Sequence, residues 1–169
     1  MTRRITIVLL ACFFGLASAR AEPVSRREVL AAIAVLEQDV TSAAAARAAA
    51  TIARFGQKSD AVLIAIGPET LPWMQDDAPE AEATVRALLT AAYFAGDIKA
   101  QLARRRSEDD PYRGWLAAIR AYRQIQRKQP GLVIPEIEEL IAKERAGTLK
   151  DEAEDLRRQD QREQRQNMI

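Results

Sequence analysis

Residues 109–131 read DDPYRGWLAAIRAYRQIQRKQPG, and this stretch decides the fold. Trp115, Ile119, Tyr122 and Gln126 follow at spacings of four, three and four, which is one face of a helix, with Leu116 and Ile125 beside it. Asp109 or Asp110 can cap the first turn. Pro111 suits the first helical position, where its missing N–H leaves no bond unmade. Pro130-Gly131 ends the helix.

The same periodicity extends in both directions. Towards the C-terminus, Ile134-Pro135 opens a helix with Ile137, Leu140 and Ile141 inward. Gly147 breaks it and Thr148 restarts a last one. After Leu156 no large apolar residue occurs until Met168, so residues 157–169 read as a charged tail, helical or disordered. Towards the N-terminus, Val85, Leu88, Leu89, Ala92 and Tyr93 form an amphipathic helix that can start at Asp77-Ala78-Pro79. Gly96-Asp97 is a candidate break before Ile98 and Leu102. Residues 68–79 read as a loop with Trp73 and Met74 folded inward. Segment 61–66, AVLIAI, suits a buried strand as well as a helix. With no second strand to pair with it, a short buried helix is favoured, stopped by Gly67-Pro68. Thr41 or Ser42 opens an Ala-rich helix carrying Ile52 and Phe55 and ending at Gly56. Ser25-Arg26-Arg27-Glu28 is a capping box ahead of Val29, Ile33, Leu36 and Val40.

Six or seven short helices joined by tight Pro/Gly turns imply an all-α fold. The expected form is an antiparallel array, helical-repeat-like or an irregular bundle. Ala91-Ala92-Tyr93-Phe94-Ala95-Gly96-Asp97-Ile98-Lys99-Ala100 resembles the middle of a tetratricopeptide repeat, with its aromatic pair, Gly-Asp turn and following Ala. One residue is missing between the aromatics and the Gly, and no partner repeat of about 34 residues flanks the segment. The resemblance therefore implies a helix-turn-helix and no function.

Residues 1–21 read as a secretory signal peptide. Arg3-Arg4 gives a basic head, Ile5–Leu16 an apolar run, and Ala19-Arg20-Ala21 a small-residue site for cleavage before Glu22. The run is shorter than the roughly 20 residues of a spanning helix, so no transmembrane segment is expected after cleavage. Processing at Cys12, preceded by Leu9-Leu10-Ala11, is the alternative and would leave a lipid-anchored protein. The layout and the Ala/Arg-rich composition point to the bacterial envelope, periplasmic or secreted. Residues 22–156 then form one helical domain.

Composition excludes much chemistry. The chain has no His, and its single Cys is Cys12. After cleavage there remain no His general base, no Cys nucleophile, no disulfide and no His or Cys metal ligand. No cofactor or metal site is expected. Removing Arg3, Arg4 and Arg20 moves the net charge from +1 to −2, which gives no reason to expect nucleic-acid binding. Glu108-Asp109-Asp110 and Asp76-Asp77 each precede a Pro-led helix start and read as caps rather than a cation site. Catalysis would have to run on carboxylates, Lys, Tyr or Ser, and a carboxylate pair suffices for glycoside cleavage. Most Glu residues instead occupy exposed helix faces.

Two features remain as candidate binding residues. Arg113, Arg120, Arg123 and Arg127 lie at spacings of seven, three and four on one side of the Trp115 helix, with Arg104-Arg105-Arg106 ending the helix before it. Guanidinium groups suit a phosphate, a lipid headgroup or a partner carboxylate. They can equally pair with Glu136, Glu138, Glu139 and Glu144 on the next helix. Tyr93, Phe94, Tyr112, Trp115 and Tyr122 concentrate the aromatic content nearby, as an apolar groove or as core. The expected function is an interaction module of the envelope, with a protein or small-ligand partner bound over residues 85–128. The alternative is a small carboxylate-dependent hydrolase of envelope polymers.

Overall fold

The computed structural model describes residues 23–74 and 82–166. The expected leader and cleavage site, Cys12 and the expected Asp77–Pro79 helix start lie outside them. Among the described residues the fold is all-helical, with six helices: α1 Arg26–Gln38, α2 Ala43–Lys58, α3 Ala83–Arg104, α4 Pro111–Lys128, α5 Pro135–Ala146 and α6 Leu149–Gln166. Each packs on its neighbour in sequence. α1 also meets α3, and α4 also meets α6.

The caps follow from local sequence. The Ser25 hydroxyl accepts from the Glu28 N–H while the Glu28 carboxylate accepts from the Ser25 N–H, closing the capping box of α1. Ser42 caps α2 and Asp110 caps α4, where Pro111 leads the first turn. Pro135 leads α5, and Gly147 ends it at φ 78°, a left-handed geometry that favours glycine. The boundary at residue 156 falls inside α6, which continues as a helix through Gln166.

Helices α3 and α4 form the central pair. They run antiparallel, with Arg104 beside Asp110 at the turn and Gly96 against Ala117 further along. Trp73, Tyr93, Trp115 and Tyr122 are fully buried, together with Ile33, Ile52, Leu89, Ile98, Ile119 and Ile125. Trp73 and Phe94 each meet the edge or face of the Tyr93 ring, at centroid separations of 6.2 and 6.1 Å.

Four expectations are corrected. Gly96-Asp97 does not interrupt its helix; α3 runs unbroken through both. A Cβ at Gly96 would lie 2.4 Å from the Arg113 carbonyl oxygen, so the glycine lets α4 approach the α3 backbone. The Gly-Asp turn of the repeat resemblance is therefore absent. Gly56 does not end α2 either. The helix continues to Lys58, and a Cβ at Gly56 would meet Ile64 Cδ1 at 2.8 Å, so here too the glycine makes room for a neighbour.

Segment 61–66 is neither helix nor strand. Its backbone is irregular, with Val62 buried and Leu63 and Ile66 exposed. Side chains replace the missing partner strand. The Gln101 amide accepts from the Leu63 N–H (2.9 Å) and donates to the Leu63 carbonyl (2.6 Å). Asp109 accepts from the Ala65 N–H, and the Thr70 hydroxyl donates to the Ala65 carbonyl. The backbone groups are thus satisfied without a ladder. Finally, Trp73 folds inward as expected but Met74 is half exposed.

Candidate functional site

A groove of about 460 Å³ opens between α1, α3 and α4. Leu36 and Glu37 of α1, Ala92, Ala95 and Lys99 of α3, and Ala117, Arg120, Ala121 and Gln124 of α4 line it. A second hollow of about 410 Å³ continues it along the same helices and shares Glu37, Lys99 and Arg120. It adds Gly96, Ala100, Ala103, Arg104 and Arg113. The floor is glycine, alanine and Leu36, nearly all of it buried, and four cations, Glu37 and Gln124 stand around it.

Helical spacing produces this face. On α3, residues 92, 95, 96, 99, 100 and 103 recur at three and four and are small except for Lys99. On α4, residues 113, 117, 120, 121 and 124 recur at the same spacings, with Ala117 and Ala121 the small ones. The opposite side of α4 carries Trp115, Ile119 and Tyr122 into the core. Gln124 ties the groove's end to α1: it accepts from the Val40 N–H (3.1 Å) and donates to the Glu37 carbonyl (2.9 Å).

The four cations differ in their partners. Lys99 pairs with Glu37 at 2.7 Å, and Arg104 pairs with Asp110. Arg113 stands 5.8 Å over the Tyr112 ring. Among the described residues, neither Arg113 nor Arg120 has a carboxylate partner, and both are exposed. The groove therefore keeps a positive excess of about two charges.

The predicted site residues divide accordingly. Arg113 and Arg120 line the groove, joined by Arg104. Arg123 pairs with Glu144 of α5 at 3.0 Å and does not line it. Arg127 is exposed near the end of α4, outside the groove's lining. Tyr93, Trp115 and Tyr122 are fully buried and present no surface to a ligand, while Phe94 is half-buried. Their polar ends hold connections together. The Trp115 indole N–H donates to the Thr70 carbonyl (2.9 Å), and the Tyr122 hydroxyl donates to Glu138 and accepts from the Ile134 N–H. Sequence reading missed Glu37, Lys99, Gln124 and the Ala floor. Only the small-residue spacing of α3 could have indicated them.

Two other polar arrangements are structural. Asp97 is wholly buried, and its Oδ1 accepts from the Gln101 amide (2.8 Å) and the Asp110 N–H (2.9 Å). Burial, and then the nearby Asp109 carboxylate, push the Asp97 carboxyl up to about 8. Neither Asp97 nor Asp109 lines the groove. Arg86, also buried, pairs with Glu82 (2.8 Å) and more distantly with Glu136 (3.5 Å), and donates to the Trp73 carbonyl.

A separate cleft of about 600 Å³ lies between the 68–72 loop, α5 and α6. Glu69, Glu136, Glu139, Asp151, Glu152 and Asp155 surround it, with Lys143 held between Glu139 and Glu152 at 2.8 Å from each. Among the described residues, no group of three or more His, Cys, Asp or Glu side chains is placed to hold a metal ion, and no helix is long and apolar enough to cross a membrane. No family model, curated protein or solved structure matches the chain.

Proposed function

We propose that the protein is a secreted binding module of the bacterial envelope, and that the groove between α1, α3 and α4 is its binding face. The observation that carries this reading is the pairing pattern within the groove. Two exposed guanidinium groups, Arg113 and Arg120, stand without carboxylates at the rim of a groove whose floor is buried. Exposed guanidinium groups that the chain does not neutralise itself can pair with a partner's carboxylates. The basic-apolar-small layout of residues 1–21 supports secretion.

The hydrolase reading finds less support. Acid catalysis needs a carboxyl kept protonated within reach of substrate. The carboxyl pushed upward, Asp97, is buried and spent on holding Gln101 and the α4 cap.

The test is a crosslinked pull-down from native envelope extract with three proteins: wild type, Arg113→Glu/Arg120→Glu, and Arg123→Glu. A partner held by wild type and Arg123→Glu but lost from the double variant would support the groove. Recovery unchanged in the double variant would overturn it. Intact mass tests the location. Expected is a chain beginning at Glu22, whereas an acylated Cys12 would mean a lipid-anchored protein.

A further inference from the structure

We propose that a small hollow between the start of α4 and α6 binds a phosphate group. The hollow encloses about 180 Å³ and is separate from the groove, although Arg113 lies at the edge of both. Residues 150, 153, 154 and 157 share one face of α6 at helical spacing and form one wall. Arg104 at the end of α3 and Arg113 in the first turn of α4 stand on the other side. The two carboxylates of the lining are engaged. Asp110 pairs with Arg104 and accepts from the Arg113 N–H, and Glu154 stands 3.8 Å from Lys150. Two guanidinium groups are left over. Arg113 lies over the Tyr112 ring. Arg157 is half-buried, yet among the described residues it has no hydrogen bond or ion pair, because Asp155 goes to its neighbour Arg158. A guanidinium drawn partly out of water with none of its five donors matched is costly unless a ligand supplies the acceptors.

Charge and size select the ligand. Four cations and two carboxylates line the hollow, an excess of two positive charges. One carboxylate would answer one guanidinium. A phosphate dianion answers both, because its oxygens diverge from one centre and each planar guanidinium donates a forked pair of hydrogen bonds to them. The hollow also lies at the N-terminal end of α4, where the Tyr112 N–H has no acceptor among the described residues and the helix dipole favours negative charge. Pro111 and Ala153 are buried beside it and close its apolar side. A space of this volume takes a phosphate group with bridging water, and neither a helix nor a polymer chain fits within it. Free phosphate and the phosphate of a lipid headgroup present the same oxygens.

The experiment is isothermal titration of the purified protein, at pH 7.5 and low ionic strength, with inorganic phosphate and with phosphatidylglycerol vesicles. Expected is saturable binding of one phosphate per chain, weakened about tenfold or more by Arg157→Gln and, separately, by Arg113→Gln. Arg123→Glu, a larger charge change outside the hollow, should bind like wild type. Without ligand, both glutamine variants should keep the thermal midpoint within about 2 °C of wild type. Phosphate should raise that midpoint in wild type and not in Arg157→Gln. Binding of inorganic phosphate but not of vesicles would assign the free ion. Binding of vesicles alone, lost in Arg157→Gln, would assign a headgroup to the same site. No saturable binding of either, an equal loss in Arg123→Glu, or binding that survives Arg157→Gln and is lost in Arg120→Glu would overturn the inference. That last result would put the anion at the groove, so the two sites fail separately.

Discussion

Replacing Asp97 by Asn should stabilise this protein by about 3 kcal/mol more at pH 7.5 than it does at pH 5. Asp97 is fully buried beside Asp109, with its carboxyl raised to about 8 from an ordinary 3.8. A raised folded-state value means that the folded chain holds a proton that the unfolded chain releases. Stability is then fully present below about pH 4 and falls as pH rises towards 8. The limiting slope for one proton is about 1.4 kcal/mol per pH unit. Over two and a half units the loss is at most about 3.5 kcal/mol.

The window from pH 5 to 7.5 isolates the interacting Asp97–Asp109 pair. The chain has no His. Asp39 is lowered to about 2 by its bonds to Thr41 and Lys128 and so acts only in stronger acid. Tyr122 and Lys143 are raised from values near 10 and act only in alkali. The Asn side chain keeps an oxygen to accept from Gln101 and the Asp110 N–H, and its amide can donate towards Asp109. Urea unfolding followed by Trp fluorescence gives the measurement, since Trp73 and Trp115 are both fully buried. Expected is a wild-type stability that declines from pH 5 to 7.5 and an Asp97→Asn stability that does not. A flat wild-type profile, or an Asn variant weaker by the same amount at every pH, would refute the reasoning.

Two further predictions concern packing and buried charge. Alanine in place of a helix-interior glycine ordinarily stabilises by about 1 kcal/mol. At Gly96 the new Cβ would meet the Arg113 carbonyl oxygen at 2.4 Å and Ala117 Cβ at 2.6 Å, and neither is the yielding end of a long side chain. Overpacking of this kind costs about 1–3 kcal/mol, so Gly96→Ala should lower the thermal midpoint by several degrees. A rise would show that α3 and α4 separate easily. Arg86→Met should cost about 2–3 kcal/mol, because it strands Glu82, Glu136 and the Trp73 carbonyl around a buried site. Chemical denaturation at pH 7 measures it, and a loss below about 0.5 kcal/mol would mean that these groups find water instead.

The parts of the fold legible in the sequence are those fixed by neighbours in the chain. The Ser25–Glu28 box, Pro111 and Pro135 at first turns, and Gly147 at a left-handed cap each depend on contacts within about four residues. What the sequence hid depends on distant residues. Gly96 and Gly56 looked like stops because glycine is a poor helix former locally. Their use appears only when α4 and Ile64 are brought against them. Segment 61–66 looked like a helix because nothing nearby could pair its backbone. Gln101 and Asp109, 38 and 44 residues from the groups they bind, do so. The Arg stripe was visible as spacing, but spacing does not show which arginine meets an acid. The fold gives Glu144 to Arg123 and leaves Arg113 and Arg120 on the groove.

The most direct test of the groove is site-specific photocrosslinking in living cells. A photoreactive residue at position 103 sits exposed within the groove, and one at position 145 sits exposed on α5 outside it. Expected is a discrete crosslinked partner from position 103, abolished by Arg113→Glu/Arg120→Glu, with none from position 145. No partner from position 103, or the same partner from both positions, would contradict the assignment of the groove as the binding face.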